Sequence, residues 1–304
     1  MTNSLFYRIR GSYEKNWPEI HAAATGTATR FIYSSKPRLP DDVVPIFCYH
    51  ELDKASFESD LVFLSQNGYQ TIDAQALVDH VNGDKEAPRR SVVLSVDDGA
   101  RSLFDVGLPL LQAYSMQAVA FIAPRFHRDD TEVSAIAGQR LCTWRELSDM
   151  HESGCVDIQS HTYEHRYVPR WPEPIPITGE DPSVIERLRG PNQSIAEDFQ
   201  AAKVTIEERL SKTVRHMAFV KYVGSKEAVD IGRKCGYESF WWGYLPHHSG
   251  NRPGRGANRI IRVDGWYLQR LPGLDRRPLG AILKARYGAR IPRFMRPKNG
   301  DQDA

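Results

Sequence analysis

Ser91-Val92-Val93-Leu94-Ser95-Val96-Asp97-Asp98-Gly99 decides the reading of the whole chain. An apolar run with three valines and no helix-forming bias predicts a buried parallel strand, and it ends in two carboxylates and a glycine. Both acids therefore stand at the C-terminal tip of a strand, where the loops of an α/β fold converge to build sites. About sixty residues on, a second strand-like run, Cys155-Val156-Asp157-Ile158-Gln159, also ends in functional side chains, Ser160-His161-Thr162-Tyr163-Glu164-His165. Two histidines at i and i+4 can point both imidazoles at one place if the segment makes a single helical turn. With one carboxylate from the first tip they make a two-His, one-carboxylate set with open positions, a hydrolytic divalent-metal site.

Strands and helices alternate on either side of these tips. Val43–Tyr49, Gln70–Ile72, Ala118–Ile122, Val214–Val220, Glu238–Trp242 and Arg259–Val263 are predicted strands. Phe57, Leu61 and Leu64 mark a helical stripe closed by Gly68, and Asp73 caps a helix that Asn82-Gly83 stops. A further helix is predicted from Ser102 to Tyr114. Thr143…Glu146 and Ser194…Glu197 have capping-box spacing, the second opening a helix to Leu210. Seven or eight βα units in a row predict a barrel rather than an open sheet. Tyr167–Pro191 holds six prolines and reads as a long loop over the second tip. No phosphate-cradling glycine loop follows any strand, which argues against nucleotide chemistry.

The two tip motifs, in this order, resemble those of the polysaccharide deacetylase family, the NodB-homology type of carbohydrate esterase family 4. Ser95-Val96-Asp97-Asp98-Gly99 resembles its first motif and His161-Thr162-Tyr163-Glu164-His165 its second. The resemblance runs over residues 43–264 and includes Cys48-Tyr49-His50, Asn67-Gly68-Tyr69, Leu108-Pro109-Leu110-Leu111 and Phe121-Ile122. It implies a distorted (β/α) barrel of about seven parallel strands. It also implies a metal-dependent N-deacetylase acting on an N-acetylated amino sugar. Asp98, His161 and His165 would hold the metal, with zinc expected and cobalt or nickel as substitutes. Asp97 would be the general base and water on the metal the nucleophile. Tyr222 occupies the position of the tyrosine whose backbone donates to the oxyanion.

Two departures from the family pattern stand out. Phe219-Val220-Lys221-Tyr222 lacks the arginine that would orient the base, leaving Lys221 either to supply that charge or to face solvent. The last strand, Arg259-Ile260-Ile261-Arg262-Val263-Asp264, lacks the histidine of the family's general acid, for which His247 and His248 are the expected substitutes. His50, Lys221, Trp242 and Tyr244 are candidates for substrate contact, with Trp171 in the long loop, because sugar rings stack on aromatic faces. Two other readings follow from the same residues: His161…His165 as an inverted zinc-peptidase motif with Glu164 as base, and an inactive sugar-binding relative.

Composition sets the remaining bounds. A chain of 304 residues with 41% apolar and 26% charged residues is an ordinary globular protein, and a net charge of +2 argues against general nucleic-acid binding. Cys48, Cys142, Cys155 and Cys235 form no Cys-x-x-Cys pair and read as reduced thiols. Residues 1–40 read as an extension with no apolar signal core, 41–265 as the barrel and 266–304 as a basic tail; the expected location is cytoplasmic. Arg252–Ala304 carries eleven Arg and two Lys against four Asp. A basic amphipathic helix on Leu279, Ile282, Leu283, Tyr287 and Ile291 is predicted there, suited to peripheral contact with an inner membrane face.

Overall fold

The computed structural model describes Trp17 and residues 30–129, 134–136, 138–168, 194–245, 248 and 250–288. In chain order, after a four-residue helical turn at Arg30–Tyr33, its main elements are β1 (Ile46–Tyr49), α1 (Lys54–Gln66), β2 (Gln70–Thr71), α2 (Ala74–Asn82), β3 (Ser91–Asp97), α3 (Leu108–Ala113) and β4 (Ala118–Ile122). A small hairpin, β5 (Ala135–Ile136) and β6 (Gln139–Arg140), precedes α4 (Trp144–Glu152) and β7 (Val156–Ser160). Then come α5 (Ile195–Leu210), β8 (His216–Ala218), α6 (Lys226–Lys234), β9 (Ser239–Trp242), β10 (Ile260–Ile261), β11 (Val263–Asp264) and α7 (Leu279–Gly288).

Local chemistry places most of these ends. Asp53, Asp73 and Ser225 cap α1, α2 and α6 by accepting from the amides of Ser56, Ala76 and Ala228. Both predicted capping boxes form, Thr143 with Glu146 and Ser194 with Glu197. Each cap satisfies amides that would otherwise be orphaned, worth about 1 kcal/mol apiece. The helix predicted over Ser102–Tyr114 begins instead as a π turn over Leu103–Gly107 before α3. Pro109 has no amide to offer the carbonyl of Asp105, so the chain widens there and Leu108 bonds back to Leu103.

The main sheet runs β10-β9-β8-β7-β4-β3-β1-β11, all parallel, with β2 added on β3. β10 pairs with β9 and β11 pairs with β1, and only Arg262 stands between them. The single last strand predicted from sequence is thus broken at Arg262, and its two halves draw the edges of the sheet together into a barrel. Asn251 bridges the seam below. Its side chain donates to the carbonyls of Val44 and Ile261 and accepts from the Ile261 amide at 2.9 Å.

Alternation along the strands sorts the core. Val92, Leu94 and Val96 of β3 pack outward against the helices, with Phe47, Ile158, Met217 and Phe240. Val93, Val119, Phe121, Ala218, Trp241 and Ile260 point inward, and the plug of Ile72, Leu77 and Val81 meets them. Phe31, Tyr267, Leu268, Leu271 and Ile282 are buried in the outer core with β1, so residues on both sides of the boundaries drawn at 40 and 265 share one core. In α7, Ile282 is buried and Arg286 bonds the Tyr267 hydroxyl at 2.8 Å and Asp264 at 2.9 Å. The rest of the basic tail, with Ile291, lies outside the described residues, as do the prolines from Pro169 to Pro191 and Trp171. All four cysteines are free. No helix among the described residues is long and apolar enough to cross a membrane.

Candidate metal and catalytic site

The site begins with the alternation of β3. Val93 and Asp97 face the barrel interior, and Asp97 is 2% exposed. Continuing the strand would send Asp98 outward. Instead Asp98 and Gly99 both turn left-handed, at φ 70° and 72°, and Asp98 folds back over the barrel mouth. Aspartate tolerates that conformation at modest cost. Gly99 is required on two counts, since a Cβ there would stand 2.6 Å from His127 Cε1 and 2.9 Å from Ile122 Cγ2.

His161 follows β7, and its amide bonds the Ile122 carbonyl at 2.8 Å. The segment to His165 is not the single helical turn expected, because Thr162 and His165 take φ of 66° and 52°. A side chain from elsewhere replaces the helical bonds: the buried carboxylate of Asp198 on α5 accepts from the amides of Tyr163 (2.9 Å) and Glu164 (3.1 Å). The Thr162 hydroxyl accepts from the Arg166 amide at 3.0 Å. The two imidazoles still converge, with His165 Nε2 3.0 Å and His161 Nε2 3.5 Å from Asp98 Oδ1. One ligand atom from each of Asp98, His161 and His165 lies within 4.8 Å of the others.

These donors fit a divalent ion of the zinc type. His161 Nδ1 donates to the Ala218 carbonyl at 2.8 Å, which leaves the Nε2 lone pair directed at the cluster. Burial lowers the His161 pKa to about 4, so the ring is neutral and ready to ligate. Burial would raise the Asp98 carboxyl, but His165, with His50 and His161 adding, holds it well below the usual carboxylate range. Two imidazoles and one ionised carboxylate are a mixed nitrogen and oxygen set that suits zinc.

Asp97 stands beside this cluster, its Oδ2 3.8 Å from His161 Nε2. Its Oδ1 accepts from Arg262 Nη1 at 2.6 Å, and both side chains are almost wholly buried. Burial pushes the Asp97 carboxyl up; the Arg262 guanidinium, then His161 and His50, outweigh that and keep it lowered. The guanidinium lies between the rings of Phe121 and Tyr222, at 5.4 and 5.2 Å from their centroids. It also reaches Cys48 Sγ at 3.5 Å and the Trp242 carbonyl at 3.3 Å. The positive charge beside the base therefore comes from the break in the closing strand. Lys221 does not supply it, for its ammonium lies over the Tyr167 ring at 5.6 Å.

Other expected residues fall into place less evenly. His50 is at the tip of β1, edge-on to Tyr222 with centroids 5.8 Å apart, close enough to lower both aspartates. The Tyr222 amide is taken up in a turn, donating to the Phe219 carbonyl at 3.0 Å, and its hydroxyl reaches Cys48 Sγ at 3.6 Å. Trp242 is not a sugar platform. It faces outward from β9, 8% exposed, with Nε1 bonded to the Asn258 carbonyl and its ring 4.7 Å from Phe219. Tyr244 is half-buried beyond the end of β9. His248 is not brought to the carboxylates: it is buried, and its charged neighbours are Arg255, Arg259 and Arg252. Three residues on, Asn251 pairs with Val44 at the seam before β1. His247 lies outside the described residues. Glu164 is turned into an ion pair with Arg166, Oε2 to Nε at 2.7 Å, so the inverted-peptidase reading has neither its helix nor its base.

Sequence reasoning missed Arg262 and Asp198. An arginine inside the apolar run Ile260-Ile261-Arg262-Val263 was the signal for the first, since a charge on a barrel strand needs a buried partner. Nothing local marks the second.

A sequence model described as polysaccharide deacetylase matches residues 84–240, more than half of the chain. Among curated proteins, the poly-beta-1,6-N-acetyl-D-glucosamine N-deacetylase of Escherichia coli K12 is 26% identical over 119 residues, 37% of this chain and 18% of that protein. The protein of the same name from Staphylococcus aureus MRSA252 is 19% identical over 163 residues, 52% of each. The chain spans about half or less of the length of these curated relatives. Among solved structures, IcaB from Ammonifex degensii superposes with a TM-score of 0.58 at 23% identity, covering 73% of this chain and 91% of that one. A de-N-acetylase from Aggregatibacter actinomycetemcomitans gives 0.56 at 23% identity, covering 74% and 96%. At this identity the superpositions establish the barrel fold.

Proposed function

The chain belongs to the polysaccharide deacetylase family, and on that premise we propose that it is a divalent-metal-dependent N-deacetylase of an N-acetylglucosamine polymer, the β-1,6-linked type being favoured by the names of its relatives. The observation that carries the reading is a base and a ligand set side by side: Asp97, gripped by buried Arg262, against Asp98, His161 and His165. Asp98, His161 and His165 would hold zinc, which when bound polarises the acyl oxygen and acidifies water.

The chain's own residues do the rest. Arg262 occupies Asp97 Oδ1, so Oδ2 is the oxygen turned to the site and the one that takes the proton from the attacking water. Water oxygen bonds to the acetyl carbon, the carbon–nitrogen bond breaks, and acetate leaves while the sugar nitrogen takes up a proton. Among the described histidines near the carboxylates, His161 and His165 would be ligands, and His127 is buried with Nδ1 on the Cys142 carbonyl at 2.7 Å. That leaves His50, half-buried across from Asp97, as the donor to the departing amine.

The test is metal content of the purified protein together with acetate release from short N-acetylglucosamine oligomers, for the unaltered chain and Asp97→Asn. About one metal per chain and release lost in the variant are expected. Metal without release from any oligomer favours the inactive sugar-binding relative. A protein that takes up no metal refutes the proposal.

A further inference from the structure

Beside the catalytic cluster lies a cavity of about 420 Å³, a volume in the range that holds a sugar-sized ligand. It shares a wall with the site, because Cys48 and His50 line it and Cys48 Sγ touches the guanidinium that grips Asp97. The opposite wall is the segment after β11. Gly265 presses on Tyr49 so closely that a Cβ would lie 2.5 Å from its ring. That contact seats the following turn on β1 and sets Trp266 on the cavity.

Trp266 is 42% exposed, whereas its neighbours Tyr267 and Leu268 are 2% and 0% exposed. The turn thus buries Tyr267, Leu268 and Arg270 and leaves its largest side chain partly in solvent, on a concave surface next to the reacting centre. The Arg277 guanidinium lies over one face of the indole, 5.8 Å from the ring centroid. The remaining lining is rich in hydrogen-bond acceptors. Glu51, Asp53 and Asp60 contribute carboxylates against one guanidinium from Arg277, while the Asp264 carboxylate is already ion-paired with Arg286 at 2.9 Å. Gln139 lines it too, and its Oε1 is a buried acceptor with no hydrogen-bond partner among the described residues. An aromatic face with surrounding acceptors is what a pyranose needs, apolar C–H bonds on one side and hydroxyl donors around its edge. The carboxylates make the wall negative, which penalises an anionic ring.

We propose that this cavity is the subsite for the sugar next to the one being deacetylated, with Trp266 as its stacking platform and a lining that admits neutral or cationic amino sugars and rejects anionic ones. The inference rests on the deacetylase reading above and extends it to the substrate's neighbouring unit. It makes the preferred substrate an uncharged or partly deacetylated polymer rather than one whose adjacent unit carries a carboxylate.

The experiment compares acetate release from N-acetylglucosamine, from its linear β-linked tetramer, and from an oligomer of the same length in which alternate units carry a carboxylate. The tetramer is expected to exceed the monomer in kcat/KM. Trp266→Ala should lower the tetramer-to-monomer ratio about ten-fold, and Trp266→Phe should keep most of it. The carboxylate-bearing oligomer should be the poorer substrate, and Glu51→Gln should narrow the gap. A ratio that Trp266→Ala leaves unmoved overturns the subsite, and equal use of the two oligomers overturns its charge selectivity. If the unaltered protein releases acetate from nothing, the deacetylase reading fails by itself, and the subsite is judged by calorimetric titration with the neutral tetramer. Weaker binding by Trp266→Ala upholds it there; equal binding, or none by the unaltered protein, overturns it.

Discussion

Replacing Arg262 with Met is the sharpest perturbation available, because it strips a buried carboxylate of its partner without changing the barrel's volume much. Arg262 and Asp97 meet at 2.6 Å, with side chains 0% and 2% exposed. Removing one member of such a pair leaves an uncompensated buried charge and costs about 3–5 kcal/mol. At about 2–4 °C per kcal/mol for a large domain, melting should fall on the order of 10 °C. Catalysis should suffer separately, by about 10²–10⁴ in kcat, because the base loses its orientation. The pH dependence has a definite sign. In the intact protein Asp97 is held below the usual carboxylate range, so its favourable contribution is present above the unfolded pKa and is lost as pH falls through the folded one. Without Arg262, burial dominates and raises the carboxyl, so the acidic limb of the rate profile moves to higher pH. Arg262→Lys should fall between, since an ammonium keeps the charge without the planar fork. Differential scanning calorimetry and acetate release across pH measure all of this, and the cycle with Asp97→Asn isolates the pair. A destabilisation under about 1 kcal/mol, no coupling in the cycle and an unmoved acidic limb would refute the role given to Arg262.

Four further outcomes are expected. Asp198→Ala removes the acceptor for the amides of Tyr163 and Glu164 and should weaken zinc affinity about 10–100-fold in chelator competition, with the fold's circular dichroism retained. Dialysis against a strong chelator should abolish acetate release and zinc should restore it, whereas His165→Ala should neither retain stoichiometric metal nor recover. His216, in the barrel floor with Nδ1 on the Ser239 hydroxyl at 2.9 Å, is lowered by burial to about 4. The unfolded chain protonates it first, so its stabilisation is full above about pH 6.5 and falls by at most about 1.4 kcal/mol per unit towards pH 4; His216→Gln should flatten denaturation midpoints over that window. Vesicles containing anionic lipid should co-sediment the full chain at low salt and release it at high salt, and failure to bind retires the membrane role of the basic tail.

What the sequence by itself determined is what a few neighbouring residues can encode. Caps at Asp73, Thr143 and Ser194 are settled by side chains bonding amides three positions away, and the unbroken apolar run within Ser91–Asp97 encodes a strand buried along its whole length. The pair of acids and the pair of histidines announced the cluster for the same reason, each pair being contiguous with the strand that carries it. Alternation alone left open which of Trp241 and Trp242 faces the interior. Closure of the sheet decided it, sending Trp241 against Phe121 and Trp242 out against Phe219. The His161–His165 turn looked helical because spacing was its only local clue; its left-handed residues are held by Asp198, an acceptor on another helix. Arg262 reaches Asp97 across 165 positions of chain, through a strand whose two halves serve opposite edges of the sheet. Such a contact exists only once the barrel has closed and removed both groups from water, and it is burial, a property of the whole fold, that turns an arginine and an aspartate into an obligatory pair.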